Sequence, residues 1–182
     1  MSTLQPFPRV EPFCGIIFAR EKARDLAVEA MVERMSEVDH ESKIMPFDYT
    51  DYYCSEMGSP LYRCFVAFRE LVNPEFLPEF KLMTLALEKD LSLDGCRQVN
   101  LDPGYLSTAA VVIATAKNHA HRIPLRNGVY AHLEYVVRGG GVQPLDWTYP
   151  DFRTSLYLEY FNDLRLHMRG RLRELSGEGK SD

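Results

Sequence analysis

The sequence predicts an α+β fold. Its sheet is mostly antiparallel, with a ferredoxin-like βαββαβ first half and a β-meander closed by a long C-terminal helix. In the first hundred residues, short β-prone apolar runs alternate with two stretches of helical periodicity. Farther on, an Asn-Gly pair separates two extended runs, a strong hairpin signal. A stripe of large apolar side chains four residues apart then predicts the closing helix.

The first half contains four predicted strands and two helices. An apolar run over residues 13–19 predicts a strand, and residues 20–36 keep apolar side chains at helical spacing. Residues 42–57 and 61–71 are interpreted as two extended segments joined by Gly-Ser-Pro. A helix is predicted to begin near Pro78 with the stripe Phe80, Met83, Leu87 and Leu91, before a fourth strand over residues 96–101.

The next segment, residues 107–118, fits two structures. Ser107 and Thr108 are good helix caps, whereas the β-branched residues Val111, Val112 and Ile113 favour a strand. A short helix is the preferred interpretation.

The Asn127-Gly128 hairpin sets the register of its strands. With a two-residue loop, Arg126 pairs with Val129. This register places His121, His132 and Glu134 on one face and Arg122 on the opposite, apolar face. A loop one residue longer reverses part of this assignment.

The last third is predicted to hold an edge strand at residues 142–147 and the final helix. Thr148 and Asp151 have the spacing of a capping box, with Pro150 near the first turn. The docking stripe is Phe152, Leu156, Tyr160, Leu164 and Met168. We expect one domain over residues 1–182, with a core at 13–168 and a polar tail at 171–182.

Composition limits the classes of function. The formal net charge of -5 argues against a general nucleic-acid coat, because such binding depends on phosphate neutralisation. We find no signal peptide and no apolar run of the ~18 residues that a membrane span needs, so a cytoplasmic protein is expected. The four cysteines form no C-x-x-C pair, which argues against a zinc knuckle or dithiol site.

Polar residues near predicted turns are the first candidates for a site. Asp102, Pro103 and Gly104 are typical turn formers, so a purely structural role for Asp102 stays open. Asn100 lies in the preceding strand, where a buried amide needs a partner. It is a candidate to orient Asp102 or to bind a ligand.

A second group comprises Lys117, His121 and Arg122. Lys117 is also typical of a helix end. Arg122, on its predicted apolar face, requires an anionic partner, for which Asp102, Asp48 and Asp151 are the candidates. On this register Arg122 and His121 point to opposite faces, so they are not expected to act on one small ligand.

Other groups support chemistry less well. His121, His132 and Glu134 have the residue types of a two-His, one-carboxylate metal site, but pairing with acids or solvent explains them better, and no metal is predicted. Asp48 and Glu56 are candidates for proton transfer, with turn chemistry as the alternative. Arg165, Arg169, Arg171 and Arg173 form either a basic stripe or a solvated helix face. No phosphate loop occurs, and no cofactor is identified.

Five ordered motifs resemble one known family: PFDYTDYYCSEMG, RQVNLDPGYL, AKNHAHRIPL, GVYAHLEYV and WTYPDF. They are similar to an uncharacterised prokaryotic family, domain of unknown function 4416, over about residues 13–168. The resemblance implies no activity. The family's motif residues here include Asp48, Glu56, Asn100, Asp102, Tyr105, Lys117, His121, Arg122 and Asp151. The chain departs from the pattern at Pro124 and at His132, and the second departure weakens the metal interpretation.

Two classes of function stay open. The first is a small enzyme or ligand-binding protein for an anionic small molecule. In it Asn100, Tyr105, Lys117, His121, Arg122 and Asp151 bind the ligand, and Asp48, Glu56 or Asp102 handles protons. The second is a non-catalytic module that holds a protein or RNA partner through the sheet face or the arginine stripe. RNA is the weaker choice, because the aromatic motif typical of RNA-binding sheets is missing.

Overall fold

The structure is a computed structural model that describes residues 3–176. Its helices are α1 (Glu21–Val32), α2 (Cys54–Met57), α3 (Leu77–Asp90) and α4 (Ser155–Ser176), with 3-10 turns at Pro74–Phe76 and Asp151–Arg153. Its strands are β1 (Glu11–Phe18), β2 (Val38–Glu41), β3 (Met45–Pro46), β4 (Tyr62–Phe68), β5 (Val99–Leu106), β6 (Ala110–Thr115), β7 (Ile123–Pro124), β8 (Tyr130–Arg138) and β9 (Gly141–Pro144).

All of the strands belong to one antiparallel sheet with the order β2-β4-β1-β5-β6-β8-β7. The first four positions are the strand order of a ferredoxin-like βαββαβ unit. Strands β6 and β8 continue the sheet as a meander, β3 adds to β4, and β9 adds to β8. The predicted fold class is therefore confirmed.

The sheet is covered on both faces, so its central strands are apolar on both sides. One face carries Ile16, Val66 and Leu101, which lie in a core with α1 and α3 residues such as Met31 and Phe80. The opposite face packs on α4 through a cluster of rings: Phe13, Phe65, Tyr135, Phe152, Tyr157 and Phe161. Helix α4 covers only part of that face, and the rest is available for a site.

Two elements differ from the sequence prediction. Residues 107–118 contain strand β6 in place of the preferred short helix, because Val111, Val112 and Ile113 are buried between β5 and β8. The extended segment predicted at 42–57 is confirmed only at β3 (Met45–Pro46), which pairs with β4. The longer pairing strand lies earlier, at Val38–Glu41, and Cys54–Met57 is a helical turn.

The hairpin turn forms at Asn127-Gly128, where both residues have positive φ (57° and 75°). The next ladder bond, however, runs from Leu125 N to Val129 O, so the strands beyond the turn are offset by one residue from the predicted register. Ile123 therefore pairs with Ala131 in place of His132. This offset brings Arg122 to the side of His132, in place of the opposite face predicted for it.

The C-terminal segment also differs from its prediction. Thr148 does not cap a helix; its hydroxyl donates to Glu134 O, and α4 begins only after a 3-10 turn, at Ser155. Within the predicted stripe, Leu156 is exposed, whereas Tyr157 and Phe161 pack in the core. The helix runs on past Gly170 to Ser176; the rest of the predicted tail, residues 177–182, lies outside the described residues.

A buried carboxylate joins α4 to the start of the sheet. Glu11, the first residue of β1, is 0% exposed, and its Oε1 lies 2.6 Å from Arg171 Nη1. Arg171 also approaches Asp39 at 3.6 Å, and His167 Nε2 lies 2.8 Å from the same carboxylate. Burial raises the pKa of Glu11 to about 7, even though Arg171 acts in the opposite direction.

This pKa predicts a pH-dependent stability. Between pH 4.5 and about 7 the folded protein keeps a proton on Glu11 that the unfolded chain has lost, so stability falls as the pH rises through that window. The Glu11→Gln variant should lack this component. As the pH rises from 4.5 to about 7, the unfolding free energy of the variant minus that of the wild type should increase by up to about 3 kcal/mol. Urea denaturation at the two pH values measures this difference. Parallel pH curves for wild type and variant would refute the assignment, and Glu33→Gln, at an exposed site, is the matched control.

Candidate functional site

Strands β5 and β6 pair over only part of their length. These strands pair only through Gly104 with Ile113, Tyr105 with Val112 and Leu106 with Val111, and they separate before Asp102. A pocket of about 480 Å³ lies at the separation, a volume typical of small-molecule sites. If the paired register were continued across the pocket, Asn100 would lie opposite Lys117.

Side chains of α3 take over the hydrogen bonds that β6 no longer makes. Leu101 N donates to Glu88 Oε1 (2.7 Å), and Lys81 Nζ donates to Leu101 O (2.9 Å). Burial raises the pKa of Glu88, and the nearby Lys81 opposes this shift. Because both backbone groups of Leu101 have partners, the strand edge is stable without a neighbouring strand.

A buried guanidinium forms the centre of the site. Arg63 donates to Oδ2 of Asp102 (3.0 Å) and to Oδ2 of Asp151 (3.2 Å). Its carbon Cζ lies 5.1 Å from the ring centroid of Phe65 and 5.2 Å from that of Phe152. Burial raises the pKa of Asp151, with Arg63 opposing the shift. One cation therefore holds two carboxylates at the pocket wall.

Arg97 orients the amide of Asn100. Its Nε and Nη2 donate to the two oxygens of Glu56 (3.1 and 2.8 Å), and its Nη1 donates to Asn100 Oδ1 (3.2 Å). This leaves Asn100 Nδ2, on a residue only 6% exposed, with no hydrogen-bond partner anywhere in residues 3–176. The pocket therefore contains a buried, oriented donor that is available to a ligand.

Tyrosines and one lysine complete the opposite wall. The segment before α2 contributes Phe47, Tyr49, Tyr52 and Tyr53 to the pocket. Lys117 Nζ lies 5.0 Å from the ring centroid of Tyr52. Lys117 makes no ion pair with any residue of the described chain, in contrast to Arg63 and Arg97.

Arg122 lies behind the pocket and contacts three of its lining residues. Arg122 donates through Nη1 to Lys117 O (2.7 Å), through Nη2 to the Tyr149 hydroxyl (2.5 Å) and through Nε to His132 Nδ1 (3.1 Å). Since Arg122 can only donate, a neutral His132 carries its proton on Nε2, which lies 2.8 Å from Glu134 Oε2. The other oxygen of Glu134 accepts from Tyr149 N (2.8 Å).

A family model described as domain of unknown function DUF4416 matches residues 8–167. The chain belongs to this family. Every residue that lines the pocket lies between Ile17 and Phe152, so the whole pocket falls within the DUF4416 match. No curated protein and no solved structure matches the chain. None of the helices described in this DUF4416 protein is both long and apolar enough to cross a membrane.

The structure brings some of the predicted site residues of this DUF4416 protein together. Asn100, Asp102, Lys117 and Asp151 all line the pocket. The others do not: Glu56 reaches it only through Arg97, His121 and Arg122 lie behind it, Asp48 is exposed outside it, and Tyr105 packs on the opposite face with Leu77 and Val129.

Two predictions about Arg122 are wrong. Within residues 3–176 it meets no carboxylate; Asp102 and Asp151 pair with Arg63 instead. Nor do Arg122 and His121 point to opposite faces, since His121 Nε2 lies 3.3 Å from His132 Nδ1, the atom that Arg122 Nε contacts. The one-residue offset in the hairpin accounts for the second difference, because it brings Arg122 to the side of His132.

Arg63, Lys81 and Arg97 are pocket residues that the sequence analysis missed. One sequence signal marks Arg63. Gly15 lies in the interior of β1, where glycine often indicates a close approach, and a Cβ there would lie 2.5 Å from Arg63 Nη2. Lys81 and Arg97 have no comparable local signal. A lysine on a helix and an arginine near the start of a strand are equally typical of residues without a role in a site.

The C-terminal arginines do not form one exposed stripe. Arg165 is buried and donates to Gly140 O, and Arg171 pairs with Glu11. Two of the four predicted basic side chains are therefore used inside the protein. This placement weakens the arginine stripe, which is one of the two surfaces considered for a partner.

Proposed function

We propose that the protein binds a small anionic molecule in the pocket between β5 and β6. The observation that supports this most is the presence of two donor groups in the lining of the pocket. Asn100 offers a buried amide donor without a partner, and Lys117 offers an ammonium group without an ion pair within the described residues. A carboxylate or phosphate would satisfy both.

The two arginines of the pocket already have carboxylate partners, and Lys81 Nζ donates to Leu101 O. Arg63 is neutralised by Asp102 and Asp151, and Arg97 by Glu56 and, at 3.8 Å, by Glu88. An incoming anion therefore gains most from Lys117. Since a bound anion there would be partly removed from water by the Tyr52 wall, its attraction to Lys117 is stronger than at an open surface.

The proton-transfer role considered for Asp48, Glu56 and Asp102 fits Asp102 best. The hydrogen bond from Arg97 lowers the pKa of Glu56, which therefore stays ionised. Asp48 lies outside the pocket. Asp102 lines it beside Asp151, whose pKa is raised by burial, so any proton exchange with the ligand would use this pair.

Replacing Lys117 by Met tests the proposal. We expect the wild type to be stabilised against thermal unfolding by at least one member of a panel of small anions: inorganic phosphate, hexose monophosphates, nucleoside monophosphates and dicarboxylates. For such an anion, Lys117→Met should weaken binding about ten-fold, measured by isothermal titration calorimetry, because one charge-assisted contact is lost.

The control is Lys43→Met, which removes the same charge from an exposed position outside the pocket. It should bind with wild-type affinity. If no anion stabilises the wild type, or if Lys43→Met weakens binding as much as Lys117→Met does, the proposed function is wrong.

A further inference from the structure

The two ends of the pocket differ in chemistry. Lys117 and Arg97, which holds Asn100, both lie against the Tyr52 ring (5.0 and 6.0 Å), whereas the carboxylates of Asp102 and Asp151 share Arg63. Asn100 and Asp102 lie on the same face of β5, two residues apart, which is about 7 Å along a strand. A ligand that uses both ends must therefore carry an anionic group and hydrogen-bond donors on opposite sides of a short body.

The carboxylate end accepts hydrogen bonds. Two carboxylates share one guanidinium there, so the group keeps one net negative charge and repels a second anion. Arg63 occupies only Oδ2 of Asp102, whose side chain is 27% exposed, and Oδ1 remains as an acceptor. Hydroxyl groups satisfy such an acceptor without introducing charge.

The aromatic walls favour a ring over a linear chain. Tyr49 and Tyr149 line the pocket with rings that are 44% and 37% exposed. Tyr149 is held rigidly, because its ring stacks on His132 at a centroid distance of 4.9 Å and its hydroxyl accepts from Arg122. The flat apolar face of a ligand ring would cover these side chains, whereas a narrow linear chain would leave much of their surface exposed to water.

We propose, building on the function proposed above, that the ligand is a monosaccharide bearing one phosphate or carboxylate group. The anionic group binds between Lys117 and Asn100. The hydroxyl groups on the far side of the ring donate to Asp102 and Asp151, and the apolar face of the ring packs against Tyr149.

The test compares matched ligands on the unmodified full chain by isothermal titration calorimetry. The probes are a hexose monophosphate, the corresponding hexonate, the uncharged hexose, n-hexyl phosphate and phosphoethanolamine. We expect the hexose monophosphate or the hexonate to bind at least ten-fold more tightly than the other three, and the better of the two identifies the anionic group. The Asp102→Asn variant should lose about ten-fold for this sugar and should bind n-hexyl phosphate no more weakly than the wild type does, with Asp48→Asn as the control.

Each alternative result decides between the proposals. If n-hexyl phosphate or phosphoethanolamine binds as tightly as the charged sugars, and Lys117→Met weakens that binding, the sugar assignment is wrong and the anion pocket stands. If none of the anions binds, both proposals are wrong. Because the ligand comparison uses the wild-type chain, it gives a result even if Asp102→Asn does not fold.

Discussion

The Arg63→Met variant is expected to lose about 3–5 kcal/mol of unfolding free energy, because Asp102 and Asp151 would remain beside a buried apolar side chain without their cation. Urea denaturation followed by circular dichroism measures this loss. The loss should shrink as the pH falls: burial already raises the pKa of Asp151 against the opposing effect of Arg63, so without Arg63 this carboxylate takes up a proton more readily in the folded variant than in its unfolded chain.

A charge-matched rescue separates this mechanism from lost packing. Adding Asp102→Asn and Asp151→Asn to Arg63→Met removes the uncompensated charges and should restore most of the stability. The exposed Arg69→Met is the control and should cost less than about 1 kcal/mol. If the triple variant is as unstable as Arg63→Met alone, then the ring contacts of Arg63, and not its charge, account for its contribution.

The second large effect is expected at Arg122. Arg122→Met removes the hydrogen bonds to Lys117 O, Tyr149 and His132 and should destabilise the protein by about 2–4 kcal/mol. It should also weaken binding of the anion that the wild type recognises about ten-fold, although Arg122 does not line the pocket. The reason is that Lys117 and Tyr149 would lose the group that holds them in place.

Calorimetric titration of four proteins tests this positioning role: wild type, Arg122→Met, Lys117→Met and the double variant. We expect the double variant to bind no more weakly than Lys117→Met alone, since both changes remove the same interaction. Arg126→Met, an exposed arginine of the same hairpin, should leave affinity unchanged. Fully additive losses would show that Arg122 does not act through Lys117.

The fold class could be predicted from the spacing of apolar residues. In the first half of the chain, the strands and helices bury apolar side chains that recur at regular intervals. Residues such as Ile16, Val66 and Phe80 lie in the cores that their patterns predict. Local chemistry also identified Asn100, Asp102, Lys117 and Asp151, which the structure brings to one pocket. These polar residues lie near strand ends and turns, where sites are commonly built.

Register and long-range pairing could not be read from the chain in the same way. A one-residue offset beyond Asn127-Gly128 and the register shift between β6 and β8 changed which side chains meet. Arg122 therefore meets His132, and two of its three candidate carboxylates, Asp102 and Asp151, pair with Arg63. Arg63 is 39 positions away in sequence and reaches Asp102 only through the pairing of β4, β1 and β5. No short-range pattern contains that information.

The short ladder between β5 and β6 also bears on how the protein opens. Strands β1 to β5 with helices α1 to α3 form one topological unit, and the three residue pairs that begin at Gly104 and Ile113 are its backbone link to the meander. Few backbone hydrogen bonds therefore join the two parts, which are held together largely by side-chain packing such as that of α4 rings on Phe13 and Phe65. A molecule held between Asn100 and Lys117 would contact both parts at once. It would therefore link the two parts, and unfolding should be more cooperative when the pocket is occupied than when it is empty.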